Sequence, residues 1–347
     1  MNSKDVVLAR VYRNDKLEGV FPRTIETEAT LDGVLASADG DWNISESLKL
    51  IPVTCKLPDV FIRMQKGDFS EDVIQAGQDL LEAGQIRTAE KIYNPTTGQG
   101  VWHPQLHAID AMNALFKRPN IMFVIKGDSS AGAIITGYYD KVPLLTEDWT
   151  KADFDKRGVR FIPGSFTRAG AYIGSGTTLM PGSIVNSGAY IAGGGVMIDG
   201  GARVATGAQI GKAVKLGAGS GVEGILEPRG NLPTVIEDNV RVGANCELCG
   251  IIEEGAAIAS GVVMTKQKKI YDLRTGKFQD PRVIEVAGER IGVPYIPAGR
   301  MAVPGVYMRP GTEIGLACTV LLEKPATESN FMDLPKNADL YVSVKKA

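Results

Sequence analysis

The sequence predicts a mainly β protein centred on a triangular coil of short parallel strands, a parallel β-helix, and three observations carry that reading. Glycine accounts for 41 of the 347 residues, well above the usual share of about 7%, and most of it lies between Gly158 and Gly261. Within that stretch an aliphatic residue recurs every six positions, at Ile173, Leu179, Val185, Ile191 and Met197. After Arg203 the register slips by one and resumes at Val204, Ile210, Leu216 and Val222, then at Ile236 and Val242, with Ile252, Ile258, Met264 and Ile270 closing the series.

A period of six does not fit an amphipathic helix, whose apolar residues recur every three or four positions. Nor does it fit a Gly/Ser linker, which has no sustained aliphatic phase. If three hexapeptides make one turn, each aliphatic side chain points inward and stacks on its equivalent about 18 residues later, burying a continuous column. Glycine at the corners supplies positive φ without a Cβ clash. The segment Gly224 to Thr234 (GILEPRGNLPT) breaks the period with Pro228, Gly230 and Pro233, and it is expected to loop out of the coil, where solenoids often carry a binding surface.

Residues 68–158 read as a small α/β unit. Asp68 and Glu71 suggest a capping box for a helix that Gly84 stops. Pro104 is expected at the first position of a second helix with Leu106, Ile109, Met112 and Phe116 on one face. A third, short helix is expected from Thr150, capped against Asp153, to Gly158, and strands are expected over Met122 to Gly127 and Ala133 to Tyr139. Residues 1–67 form an N-terminal extension with three apolar runs (VVLARVY, GVFPRTI and LKLIPVTC) that suggest strands. The coil is assigned to residues 159–272, and residues 273–347 to a β-rich segment capping its open end.

With 38 basic and 40 acidic side chains and a net charge of -2, the chain carries no footprint for nucleic acid or an anionic membrane. No charged stretch followed by an apolar run opens the sequence, so no secretory leader is expected; no apolar run of 18 residues occurs, and four cysteines (Cys55, Cys246, Cys249, Cys318) suit a reducing compartment. The expectation is a cytoplasmic protein acting on small molecules. Gly217 to Gly224 (GAGSGVEG) imitates a dinucleotide fingerprint, but no helix is expected after it and corner glycines explain it. The Cys246/Cys249 pair has no further ligands nearby for zinc, so no metal is expected.

Many acyltransferases with this repeat use a coil histidine as the base. Here the only histidines are His103 and His107, upstream of the coil, so the base of such a reaction would have to be a carboxylate, or the amine would arrive already neutral. Asp199 (in MIDGGA) and Glu247 (in VGANCE) stand out inside the repeats. Either can instead be a turn-capping residue or part of a solvated face; a catalytic role needs partial burial that raises the carboxyl pKa.

The stretches Tyr138 to Ile191, Ala208 to Gly255 with its GILEP loop and IEDN rung, and Lys268 to Lys277 (KKIYDLRTGK) resemble the tetrahydrodipicolinate N-succinyltransferases, and the likeness extends weakly through Leu80 to Lys91. That resemblance implies a left-handed coil, a homotrimer with active sites between adjacent coils, and succinyl transfer from succinyl-CoA to an amino group in lysine and diaminopimelate biosynthesis. It implies substrate contacts by Arg160 and Asp199, with Arg168 as a second candidate, and catalysis by Asp199 and Glu247. A guanidinium suits a dicarboxylate because its planar fork binds both oxygens. CoA is implied along the groove between coils near Gly224, with Lys266, Lys268 and Lys269 offered to its phosphates. The chain departs from the family in one respect: Gly200-Gly201-Ala202 follows Asp199, where the family has Thr-Trp-Ala. A different acceptor, an acetyl-CoA donor, or a non-catalytic scaffold remain the alternative expectations.

Overall fold

The computed structural model describes residues 5–13, 16–25, 48–56, 59–93, 97–125, 136–224, 231–286, 289–309, 311, 313–323 and 342–344. Its centre is the coil. Two-residue strands separated by tight corners form three parallel sheets, each strand pairing with the strand one turn below and one turn above. The first face runs Arg160–Phe161, Thr178–Leu179, Met197–Ile198, Lys215–Leu216, Arg241–Val242, Ala257–Ile258 and then the start of Arg300–Met308. The second runs Phe166–Thr167, Ile184–Val185, Arg203–Val204, Gly221–Val222, Glu247–Leu248 and Val263–Met264. The third runs Tyr172–Ile173, Tyr190–Ile191, Gln209–Ile210, Val235–Ile236, Ile251–Ile252 and Tyr295–Ile296.

In each pair the second residue points inward, because successive side chains of a strand alternate in direction. Leu179, Ile198, Leu216, Val185, Val204, Ile191, Ile210 and Ile236 are all fully buried in one column. Three details differ from the sequence reading. Ile198, not Met197, faces the core, so the register slip precedes Arg203; the extra residue is absorbed by the corner Gly193, Gly194 and Gly195, all at positive φ (82°, 63° and 93°). Leu248, six residues after Val242, is a further buried rung residue, and Ile252 follows it after only four because the corner at Gly250 (φ 106°) is shorter than the rest. Ile270 is buried but pairs with Thr319 of the strand Gly315–Glu323, and the place above Ile252 is taken by Ile296. The coil thus resumes after an excursion that contains the hairpin Arg282–Val286/Glu289–Val293. Strands Arg300–Met308, Gly315–Glu323 and Val342–Val344 extend the first face beyond the last full turn.

Among the described residues four helices precede the coil: α1 (Asp59–Gln65), α2 (Glu71–Glu82), α3 (Leu106–Leu115) and α4 (Lys151–Arg157). The first three share one core, including Phe61, Ile74, Met112 and Leu115. Pro104 ends the strand Gly100–Pro104 rather than starting α3. Asp68 does not cap α2; its carboxylate accepts from Ser70 and from Arg63, and the hydrogen bonds hold it down at about 2. The capping box of α4 is present, Asp153 Oδ2 accepting from the backbone N and the hydroxyl of Thr150 at 2.7 Å, and Gly158 closes the helix at φ 62°. The predicted strand pair is the hairpin Ile121–Ile125/Thr136–Asp140, and the extension's three runs form an antiparallel sheet with Asp5–Arg13 in the middle. Among the described residues no helix is long and apolar enough to cross a membrane.

Candidate active site

The way the helical unit sits on the coil determines which coil surface stays open. Gly170, Gly188 and Gly207 stack along the corner between the second and third faces, and α3 fills the space their missing side chains leave: a Cβ on Gly188 would strike Met112, and one on Gly170 would lie 2.6 Å from Leu115. Glu82 accepts from the Gly170 amide at 2.7 Å, and the hairpin Ala89–Tyr93/Gly100–Pro104 stands over the third face, where Lys91 pairs with Glu237. The second face and the corner between it and the first face stay exposed, as Pro181, Gly182, Gly201, Ala218 and Asn245 show.

Asp199 lies on that open corner. It follows the first-face strand Met197–Ile198, is half-buried, and accepts from the Gly200 amide at 2.7 Å. The Asx contact expected of a corner aspartate is therefore present, and one carboxylate oxygen carries it. Gly200 has room for a side chain, since an added Cβ would meet only Pro181 O at 3.5 Å.

Glu247 projects outward from the second face. Arg203 lies two strands below it in the same sheet, with Gly221 between. The carboxylate reaches across Gly221 so that Oε2 meets Arg203 Nη2 at 2.7 Å; a Cβ on Gly221 would collide with both carboxylate oxygens. Strands in a sheet are about 4.8 Å apart, so this bridge spans two strand spacings and brings the Glu247 carboxylate toward the turn that carries Asp199. Among the described residues no hydrogen bond or ion pair joins Asp199 to Glu247 directly. Sequence reading did not single out Arg203, because the 225–230 interruption hides the fact that residues 203, 221 and 247 occupy one column.

Arg160 is exposed on the lowest turn of the first face, without a hydrogen-bond or ion-pair partner among the described residues. Arg168 is differently placed. Its guanidinium meets Asp140 Oδ2 at 2.5 Å and Asn186 Oδ1 at 3.2 Å and lies 5.2 Å from the Phe116 ring, so it fastens the helical unit to the coil. The structure does not bring the two arginines together.

Gly224 lies two residues beyond the second-face strand Gly221–Val222, and a Cβ there would strike the Thr206 backbone. Residues 225–230, most of the GILEP interruption, lie outside the described residues. One turn above Glu223 is Cys249, and burial, reinforced by the Glu223 carboxylate, pushes its thiol up to about 12. Lys266 acts in the opposite direction on that thiol, which places it close to the stacked Glu223 and Cys249. Lys266 and Lys269 are exposed, Lys269 lying 5.3 Å from the Phe278 ring, while Lys268 is half-buried near Cys318. Cys246 is buried, donates to Ala259 O at 3.2 Å, and is also raised by burial. Neither thiol of the pair is a thiolate at neutral pH, so neither is equipped for nucleophilic attack. Of the two histidines, His103 lies on a strand and His107 on α3 edge-on to Phe61 at 5.3 Å; burial lowers both.

No protein-family model matches the chain. Curated relatives do. The chain is 36% identical over 246 residues to the 2,3,4,5-tetrahydropyridine-2,6-dicarboxylate N-succinyltransferase of Sodalis glossinidius, covering 70% of this chain and 80% of that protein. The chain belongs to this N-succinyltransferase family. The N-succinyltransferase of Bartonella bacilliformis is 36% identical over 75% of the chain and 85% of its own length, and that of Acinetobacter baylyi is 35% identical over 74% and 86%. In this chain Asp199 lies on the open corner that follows the first-face strand Met197–Ile198, and Glu247 lies on the second face.

Proposed function

We propose that the protein is a CoA-dependent N-succinyltransferase that moves a succinyl group from succinyl-CoA to the amino group of tetrahydrodipicolinate, in its acyclic 2-amino-6-oxopimelate form, within lysine and diaminopimelate biosynthesis. The observation that carries this is 36% identity to a named N-succinyltransferase over 70% of the chain. The coil is taken as left-handed, and the working unit as a cytoplasmic homotrimer. Support for association comes from the second face, where Phe166 and Ile184 are exposed on adjacent strands; neighbouring apolar side chains on an otherwise polar surface favour burial against another copy.

In this reading Asp199 of one coil and Glu247 of its neighbour face a shared groove. The acceptor nitrogen attacks the thioester carbonyl, a C–N bond forms, Asp199 takes the proton from nitrogen, and the C–S bond breaks as CoA leaves and is protonated. Arg160 binds an acceptor carboxylate, and Glu247, oriented by Arg203, orients the amine. Gly224 and the Lys266, Lys268 and Lys269 cluster serve CoA, and a backbone N–H is the donor suited to the developing oxyanion. The test is CoA-thiol release with succinyl-CoA or acetyl-CoA, each with and without tetrahydrodipicolinate. Acceptor-dependent release with succinyl-CoA is expected; release only with acetyl-CoA, or only with a different amino acid, overturns the assignment. Asp199→Asn is expected to lower kcat by roughly 10²–10⁴, the usual worth of a general base.

A further inference from the structure

Beside the hairpin over the third face lies a half-open cavity of about 440 Å³ that the proposed transfer does not use. At its foot the Arg87 guanidinium lies 3.8 Å from the centre of the Tyr190 ring and 5.7 Å from that of Trp102. Its Nε donates to Gln209 Oε1 at 2.9 Å, and Gln209 is itself fixed by donating to Thr88 Oγ1 and Gly207 O, both at 2.8 Å. Arg87 Nη1 and Nη2 have no acceptor among the described residues. A guanidinium carries five N–H donors, and leaving donors of a partly buried cation without an acceptor is costly. Burial does pull the Arg87 pKa below its ordinary value, against the opposing influence of Tyr190, Glu90 and Asp238.

The carboxylates whose charge acts on Arg87 are Glu90 and Asp238, and a third on the same wall is committed elsewhere. Glu237 accepts from Lys91 Nζ and Trp102 Nε1, both at 2.7 Å, and from the Glu254 amide at 3.1 Å. The fork of Arg87 therefore faces the cavity ready for a planar carboxylate, the group it binds through two parallel hydrogen bonds. The wall is otherwise acidic: Glu90, Glu237, Asp238 and Glu254 outnumber Arg87, Lys91 and Lys212. Such a lining repels a polyanion and attracts an ammonium group.

We propose that this cavity binds a small zwitterion of the α-amino-acid class, its carboxylate on Arg87 Nη1 and Nη2 and its ammonium toward Asp238 and Glu254. The site lies on the third face, away from Asp199 and Glu247, so it stands or falls independently of the proposed transfer. The volume lies within the range of small-molecule sites, about 300–1,000 Å³. The experiment is calorimetric titration of the full-length protein with L-alanine, propionate, ethylammonium and inorganic phosphate at millimolar concentration. These probes separate the zwitterion from each of its halves and from a generic anion. L-Alanine is expected to bind at least tenfold more tightly than the other three, Arg87→Met to weaken it at least tenfold, and Asp238→Asn to weaken L-alanine while leaving propionate unchanged. The Asp238 variant keeps the oxygen that accepts from the Lys212 amide, so it decides the matter if Arg87→Met fails to fold. Absence of binding by L-alanine, equal or tighter binding of propionate or phosphate, or indifference to Asp238→Asn overturns the proposal.

Discussion

At the scale of single residues, Gly221 controls Glu247. The collision that a Cβ would produce there involves the mobile end of Glu247 rather than backbone, so Gly221→Ala should displace the carboxylate and spare the coil. We expect kcat/KM for succinyl transfer to fall at least tenfold while the melting temperature moves by no more than about 1 °C, a shift that corresponds to less than about 1 kcal/mol for a chain of this size. Unchanged activity in that variant would mean that the position of Glu247 is irrelevant. The two histidines give a pH prediction. Burial depresses both, so the native state binds fewer protons than the unfolded chain between their folded values and about 6.5. Their contribution to stability is present above that pH and is lost as pH falls through the folded values. Thermal melts should therefore drop between about pH 7 and about pH 5, and His107→Gln should flatten the drop. Asp199 was visible in the sequence as a carboxylate inside the repeats, whereas Arg203 was not, because its meaning depends on Glu247 two strands away.

At the scale of elements, the corners explain where a six-residue count fails. A pattern of inward side chains fixes the phase of each strand but says little about how many residues a corner absorbs, and the three-glycine corner at residues 193–195 takes one more than its neighbours. Within it the demands differ: a Cβ on Gly193 would strike the Ser175 carbonyl, whereas one on Gly195 meets nothing within 4 Å. Both positions have positive φ, so each alanine costs backbone strain of about 1 kcal/mol, and Gly193→Ala adds a backbone collision. Its melting temperature should lie well below that of Gly195→Ala. Equal values would show that the corner relaxes freely. Helix signals were legible where the caps were local, as at Thr150 and Asp153, and misleading at Pro104, where hairpin pairing with Ala89 outweighs the preference of proline for a helix start.

At the scale of the whole molecule, one continuous column should make the coil unfold as a unit. Ile210→Ala, at the centre of the third face and fully buried, is expected to cost about 2–5 kcal/mol and to lower a single cooperative transition, read by chemical denaturation; loss of only one of several transitions would argue for separable turns. Light scattering should give a trimer mass, and Phe166→Asp on the exposed second face should reduce it without unfolding the chain. The amino-acid sequence by itself determined the coil, because a repeat that buries one aliphatic per strand is a local pattern stacked on itself and needs no long-range information. It also determined the family and the carboxylates on which the chemistry is expected to rest. The tertiary structure alone decided which face stays open, that Arg168 pairs with Asp140, that Glu247 is held by Arg203 across a glycine, and that Arg87 lines a half-open cavity. Those facts depend on where separate elements come to rest against one another, and contacts between residues more than 100 positions apart, such as Arg87 with Gln209, leave no periodicity in the chain.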